Sequence, residues 1–141
     1  MNRLLRSARF RWDLFVWARL IPLFAARDGL ADLVARVEPR AGGGYPGLDP
    51  AAVARKVKRA VRRPLLMREQ RCLREGLLAY RCLKRAGREP TLHFGIQRAS
   101  VRAERMAAHC WVTLEGRMVL NPPPEGYVEI YRFGGDEARR Q

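Results

Sequence analysis

Cys72 and His109 combine residue types and positions that suit nucleophilic catalysis. Cys72 opens a helical apolar pattern, so we predict that it lies at the N-terminal end of a helix. Free backbone amides and the helix dipole stabilise a thiolate there, and the thiolate is the nucleophilic form of cysteine. Such a nucleophile also needs a base, and an imidazole held by a third group is the usual partner.

His109 is the better of the two histidines for that role. It lies in the segment Ala-Ala-His-Cys-Trp-Val, whose small residues leave room for a helix end to approach. In the strand predicted here His109 shares a face with Trp111, while Cys110 points the other way and packs beneath. His93 alternates with apolar residues in another strand, a position typical of a structural or surface histidine.

The remaining cysteines indicate neither a disulfide framework nor a metal site. Cys82 lies ten residues after Cys72 on the same predicted helix, roughly 15 Å along its axis, so the two cannot bridge, and Cys82 is predicted to be a small core residue. Three cysteines without CxxC spacing and only two histidines argue against zinc and indicate a reduced, cytoplasmic setting. A phosphate-cradling glycine loop is also missing, so we expect no cofactor and no metal.

Composition describes one globular domain, since 48% of the 141 residues are apolar and 30% are charged. The net charge of +14 suggests a nucleic-acid partner. However, the basic residues are 25 arginines and three lysines scattered along the chain, and codon bias explains them equally well. Because the chain has no recognised nucleic-acid motif and no ladder of strand aromatics, a basic nucleic-acid-binding module is the least favoured interpretation.

The N-terminal part is predicted to be helical. A first helix runs to about Ala26, strained or ended early near Pro22, and a shorter one carries apolar residues from Leu30 to Val37. Asp13 opens the apolar stretch from Leu14 to Ala26 and Arg19 interrupts it, so it stays below the ~18 residues of a membrane span. A Gly/Pro-rich link follows, so we divide the chain into an N-terminal helical segment and link (1–47), a core (48–135) and a polar tail (136–141).

Two helices and an antiparallel sheet are predicted for the core. Asp49 and Pro50 begin a helix that ends near Arg63 and bears a basic outer surface, either a solvated face or a docking surface for an acidic partner. The helix of Cys72 ends at Gly87, a left-handed cap. Alternating apolar residues then predict four strands and an α+β fold. Those strands are Thr91–Gln97, Met106–Leu114, Met118–Asn121 and Tyr127–Phe133.

These motifs resemble a known family. Four segments follow one another in order along the chain. They are Arg-Cys-Leu-Arg-Glu-Gly-Leu, a helix closing in Arg-Ala-Gly, the Leu-His-Phe-Gly-Ile strand, and Ala-His-Cys-Trp-Val with its downstream Glu-Gly turn. The order and spacing resemble the transglutaminase-like, papain-like cysteine peptidase of lasso-peptide biosynthesis, the B protein in its short, split form often called B2. The resemblance covers roughly residues 50–121, and the N-terminal helices also fit it.

The resemblance implies an activity and partners. In that family a Cys-His-Asp arrangement removes the leader from a ribosomally made precursor peptide, and a macrolactam synthetase then closes the ring. Cys72 would be the nucleophile and His109 the base. The expected partners are the precursor peptide, a separate PqqD-like leader-recognition domain and the synthetase. The same site would also suit a transglutaminase-like acyl transferase or amidase.

The third member of the site departs from the family pattern. The family usually has an acidic residue about twelve positions after the histidine, whereas this chain has Asn121 there and no aspartate between His109 and Asp136. We therefore predict a Cys-His-Asn set in which the amide oxygen of Asn121 accepts from the imidazole and fixes its tautomer. The other interpretation is that Asn121 simply begins the turn into the prolines. Gln70 is a candidate oxyanion donor beside the Cys72 amide, as in related cores, unless it is only a cap or a surface group.

Hairpin register decides whether Asn121 reaches the histidine face. A two-residue loop at Glu115 and Gly116 alone pairs Trp111 with Leu120 and turns Asn121 to the opposite face. A three-residue loop or a bulge pairs Trp111 with Asn121 on the face of His109. The Cys-His-Asn hypothesis requires this second register or an equivalent bend at Pro122.

Overall fold

A computed structural model describes residues 2–40, 44–62, 67, 70–102 and 107–135 of the chain. Along the described part of the chain the four α-helices come first and the four strands follow. The helices are α1 (Arg3–Ala25), α2 (Leu30–Val37), α3 (Pro50–Val61) and α4 (Arg71–Arg85), and the strands are β1 (Pro90–Gln97), β2 (Ala108–Leu114), β3 (Arg117–Leu120) and β4 (Tyr127–Gly134). The strands form one antiparallel sheet in the order β3-β2-β1-β4. The predicted α+β class is confirmed.

Local capping signals set the boundaries of α3 and α4. The Asp49 side chain accepts a hydrogen bond from the Ala52 amide at 3.2 Å, and Pro50 occupies the first turn of α3. At the C-terminal end of α4, Gly87 caps the helix with a φ of +83°, the left-handed conformation predicted from the sequence. Position 63, where the sequence predicted that α3 ends, lies outside the described residues.

Helix α1 continues through Pro22 to Ala25, close to the predicted end at about Ala26, so the alternative that it ends early at Pro22 is wrong. Proline has no N–H to donate to the carbonyl four residues earlier, which here belongs to Ala18. Arg74 of α4 takes that place, because its Nε and Nη2 both donate to the Ala18 oxygen. A buried guanidinium therefore satisfies the acceptor that Pro22 leaves free, and α1 extends to Ala25.

Helix α4 lies at the centre of the fold. It packs against β1 and β2 on one side and against α1, α2 and α3 on the others. Its close approach to the sheet depends on Gly76, where a Cβ atom would lie 2.5 Å from Sγ of Cys110 and 3.1 Å from a Leu92 methyl. Apolar residues of all four helices and of the sheet form one continuous core, in which Leu77, Leu78 and Leu83 of α4 are fully buried.

The structure describes most of the predicted N-terminal segment and part of the predicted loop after β1, but not the predicted tail. Helices α1 and α2 contribute to the same apolar core as α4, and the division at residue 47 stays a prediction. The polar tail, 136–141, lies outside the described residues. The predicted loop from Arg98 begins with a short 3-10 helix, Arg98–Ser100. Positions 103–106 of this loop also lie outside the described residues. None of the described helices is long and apolar enough to cross a membrane.

Candidate active site

Cys72 is the second residue of α4 and is half-buried. Gln70 immediately precedes the helix, and its side chain makes no capping hydrogen bond to the first turn. Free amides at a helix N-terminus carry partial positive charge directed along the helix axis. The sequence predicted this position for Cys72 at the N-terminal end of a helix.

One cavity brings the candidate residues together. Cys72, Gln70 and His109 all line it, and its volume is about 660 Å³. Apolar side chains form much of the rest of its wall, including Phe94 of β1 and Ile130 of β4. The cavity therefore combines a thiol, an imidazole and an apolar surface in a space large enough for part of a peptide.

His109 is held by the main chain that follows β3. Its Nε2 lies 2.9 Å from the carbonyl oxygen of Asn121. A carbonyl oxygen can only accept, so Nε2 carries the hydrogen in this bond and the neutral ring has its lone pair on Nδ1. This arrangement leaves Nδ1 as the nitrogen that can remove a proton from a thiol.

Asn121 contacts His109 through its main-chain oxygen rather than through the side-chain amide oxygen that the sequence suggested. Its Nδ2 instead donates to Oε2 of Glu75 at 3.0 Å. The backbone of Asn121 is left-handed, at φ +53°, a conformation that costs a non-glycine residue on the order of 1 kcal/mol. Asparagine tolerates it better than most residues do.

The β2–β3 hairpin has the register that this contact needs. Its turn is the two-residue loop Glu115 and Gly116, and a register shift between Val112 and Thr113 then pairs Val112 with Leu120. Continued one residue beyond β3, this register sets Asn121 opposite Trp111. The short loop and the bulge thus precede the bond between the carbonyl of Asn121 and His109.

Aromatic rings enclose His109 on two sides. The Trp111 ring centroid lies 6.2 Å away in a stacked orientation, and that of Tyr127 lies 5.7 Å away, edge to face. Gly95 of β1 pairs with His109, and a Cβ atom there would lie 2.8 Å from the Trp111 ring. A glycine at this position therefore lets the indole lie flat beside the imidazole.

The two other cysteines are buried in the core. Burial raises the pKa of Cys82 to about 12. Burial also raises the pKa of Cys110, and the neighbouring Cys72 raises it further. Cys110 packs beneath Gly76, as its place on the strand predicted. Both thiols are held in the protonated form, which is a poor nucleophile.

His93 has a different environment from His109. It is buried, its Nδ1 bonds to Glu129, and its Nε2 lies 2.7 Å from the hydroxyl of Thr113. The ring also stacks on Trp111 with centroids 5.4 Å apart. Contacts to both ring nitrogens agree with a structural histidine, as predicted.

Glu75 and Tyr127 are site residues that the sequence did not reveal. Tyr127 begins β4 and could not be placed beside His109 without the strand order. Glu75 follows Cys72 by three residues, on the same side of a helix whose inward positions are otherwise mostly apolar. An acidic residue among such positions is a signal for a buried contact.

A metal site does not emerge from the described part of the chain, where no group of three or more His, Cys, Asp or Glu side chains could hold an ion. The site is defined instead by a cysteine at a helix N-terminus and a strand histidine that share one cavity. The fold and the site together therefore point to a class of protein: an α+β domain in which a cysteine on a helix and a histidine on a strand form the candidate active site.

The comparison with protein families gives the same class. A sequence profile of the transglutaminase-like superfamily matches residues 13–132, which is most of the chain. The protein therefore belongs to the transglutaminase-like superfamily, whose members are generally cysteine-based enzymes with peptidase or acyltransferase activity. Neither the curated proteins nor the solved structures include a match to the chain.

Proposed function

We propose that this protein is a cysteine peptidase that removes the leader from a ribosomally synthesised lasso precursor peptide before macrolactam closure. One observation carries the proposal: Cys72, at the N-terminus of α4, shares a cavity with a histidine whose Nε2 donates to a main-chain carbonyl. That bond leaves Nδ1 of His109 as the base. The resemblance of residues 50–121 to the split lasso B protein supports the choice of substrate.

The reaction proceeds in two stages. The Cys72 sulfur attacks the carbonyl carbon at the junction of leader and core while Nδ1 of His109 takes the thiol proton. Collapse of the tetrahedral intermediate transfers that proton to the leaving amine of the core and leaves the leader as a thioester. Water, deprotonated by His109, then attacks the thioester and releases the leader carboxylate.

Oxyanion stabilisation would come from the start of α4. The Cys72 amide and the side chain of Gln70 are the candidate donors, because both belong to the start of the helix that carries the attacking sulfur. Gln70 is exposed and lines the same cavity as Cys72. Its side chain can therefore turn toward a bound carbonyl when substrate enters.

Two surfaces are candidates for docking the PqqD-like recognition domain that presents the leader. The outer side of α3 exposes the basic residues Arg55, Lys56, Lys58, Arg59 and Arg62. The outer side of α1 exposes large apolar side chains, with Trp12 at 67% and Phe15 at 55% accessibility. Exposed apolar residues of this size are typical of interaction surfaces. The lasso macrolactam synthetase is a further expected partner.

Leader cleavage in a reconstituted mixture tests the proposal. The wild-type chain, the precursor and the recognition domain should together release leader and core, and Cys72→Ala should abolish the release. Cys82→Ala is the matched control, since it removes a thiol from the same helix outside the cavity and should keep cleaving. Cleavage retained in Cys72→Ala contradicts the mechanism.

Product analysis separates hydrolysis from acyl transfer, the other activity found in the superfamily. In water enriched in the heavy oxygen isotope, hydrolysis places that oxygen in the new C-terminal carboxylate of the leader. An acyl transferase or amidase would instead join the acyl group to an added amine or release ammonia. Transfer in place of hydrolysis would keep the proposed site and replace the proposed reaction.

A further inference from the structure

Glu75 begins a buried polar chain that ends on His109. Its side chain is almost fully buried, with 6% of the residue exposed, and its Oε2 accepts a hydrogen bond from Nδ2 of Asn121 at 3.0 Å. The main-chain oxygen of Asn121 in turn lies 2.9 Å from Nε2 of His109. These contacts link the helix that carries Cys72 to the strand that carries His109.

The backbone of Asn121 needs such support. Its φ of +53° lies in the left-handed region, and the next residue is Pro122, which disfavours helical backbone angles in the residue before it. Conformations of this kind persist when the surrounding structure holds them. If Asn121 relaxed to an extended backbone, its carbonyl would turn away from the imidazole.

We propose that Glu75 is a positioning residue for His109. Its carboxylate holds the side chain of Asn121, and Asn121 then presents its carbonyl oxygen to Nε2–H. The ring is thereby fixed in the tautomer whose lone pair lies on Nδ1. The inference rests on the proposed pairing of Cys72 with His109. In this chain the acidic residue that supports the histidine would lie on α4, and position 121, where the family usually has an acidic residue, holds an asparagine.

A purely structural role for Glu75 makes a different prediction. If the carboxylate only fills space and satisfies Asn121, its removal lowers the free energy of unfolding and leaves the tautomer of His109 unchanged. If it positions Asn121 for the imidazole, its removal changes the tautomer populations as well. The two roles are distinguished by the protonation pattern of one ring.

Nitrogen NMR of ¹⁵N-histidine-labelled protein reads that pattern directly, because long-range proton couplings differ between the two neutral tautomers. In the wild type we expect His109 in the Nε2–H form. Glu75→Ala should give a mixture of both tautomers, whereas Glu75→Gln keeps an acceptor oxygen for Asn121 and should retain the wild-type pattern. His93, bound to Glu129 and Thr113, is the internal control and should not change.

Asn121→Ala provides a second variant in case Glu75→Ala does not fold. Alanine keeps the main-chain carbonyl, but it cannot bond to Glu75 and it disfavours a φ of +53°. We expect the same mixture of tautomers as in Glu75→Ala, and no further change when the two substitutions are combined. An unchanged His109 tautomer in either folded variant overturns the proposal.

Kinetics of leader cleavage give an independent readout. In Glu75→Ala, kcat should fall about tenfold with KM unchanged, the size expected for the loss of one well-placed hydrogen bond. Glu75→Gln should stay close to the wild type. The NMR measurement needs no substrate, so failure to detect leader cleavage would contradict the proposed function and leave the role of Glu75 to be decided by the tautomer.

Discussion

Arg74 donates from Nε, at 2.9 Å, and from Nη2 to the carbonyl oxygen of Ala18, the acceptor that Pro22 leaves without a helical donor. Its Nη1 also donates to the carbonyl of Val61 at 3.1 Å. The side chain is fully buried. One guanidinium, two residues after Cys72, therefore joins α1, α3 and α4.

Replacing Arg74 with methionine should be strongly destabilising. The change keeps an unbranched side chain but leaves two buried carbonyl groups without these donors, which costs about 2–4 kcal/mol. Pro22→Ala restores an N–H for the Ala18 carbonyl, so it should recover part of the loss in the Arg74→Met background. Urea unfolding of the four proteins in this cycle measures the coupling, and simple additivity would contradict the role given to Arg74.

Gly76→Ala should push α4 away from the sheet. A Cβ atom at position 76 would lie 2.5 Å from Sγ of Cys110, and overpacking of this kind costs about 1–3 kcal/mol, against a gain of about 1 kcal/mol in helix propensity. We expect a net loss of stability in urea unfolding. In a Cys110→Ala background only the 3.1 Å approach to the Leu92 methyl remains, so the loss should become smaller, whereas an equal loss in both backgrounds would rule out the contact with Cys110 as the cause.

Thiol alkylation of the folded protein should modify Cys72 alone. Burial raises the pKa of Cys82 to about 12 and raises that of Cys110 as well, and it also blocks access to both. Iodoacetamide followed by peptide mass mapping measures the selectivity at neutral pH. All three cysteines should react in denaturant, which is the control. Labelling of Cys82 or Cys110 alongside Cys72 in the folded protein would contradict the burial.

The same two raised pKa values predict how stability depends on alkaline pH. Above about pH 8.5 an unfolded thiol loses its proton, while the folded state keeps Cys82 and Cys110 protonated. The unfolded state then binds fewer protons than the folded state, so the free energy of unfolding falls as pH rises beyond that value. Unfolding curves at neutral pH and above pH 9 test the direction.

Neutralising the basic face of α3 should weaken docking without changing the thiol. The quadruple variant replaces exposed Arg55, Lys56, Arg59 and Arg62 with glutamine. If this face binds an acidic partner, we expect affinity for the recognition domain to fall about tenfold or more at low salt and the difference to shrink at high salt. Alkylation of Cys72 should proceed at the wild-type rate. Equal affinity at low salt would assign the charge to a solvated face.

Much of the fold could be predicted because the determining signals are local. Asp49 and Pro50 begin a helix through contacts within one turn, and Gly87 ends another through its own φ. Alternating apolar residues identify the strands in the same way. Pro22 failed as a helix breaker because the compensating donor, Arg74, lies 52 positions further along the chain, where no local signal reaches.

For the candidate site, the sequence indicates where the residues lie in the helices and strands but indicates their contacts less well. The positions of Cys72 and His109 follow from a helix start and a strand face, which are local features. The contact of Asn121 with His109 depends on a bulge in the hairpin and on one left-handed backbone angle, so the sequence pointed to the residue but not to the main-chain oxygen. The bond between Asn121 and Glu75 spans 46 positions.

Covalent capture by a leader peptide is a direct test of Cys72 as the nucleophile and His109 as its base. The peptide carries a C-terminal chloromethyl ketone in place of the scissile carbonyl, and intact mass is measured with the recognition domain present. We expect one leader adduct per chain, located on Cys72 and formed at least ~100-fold more slowly in His109→Ala. No adduct on Cys72, or equal labelling of the wild type and Cys72→Ala, would contradict the role of Cys72.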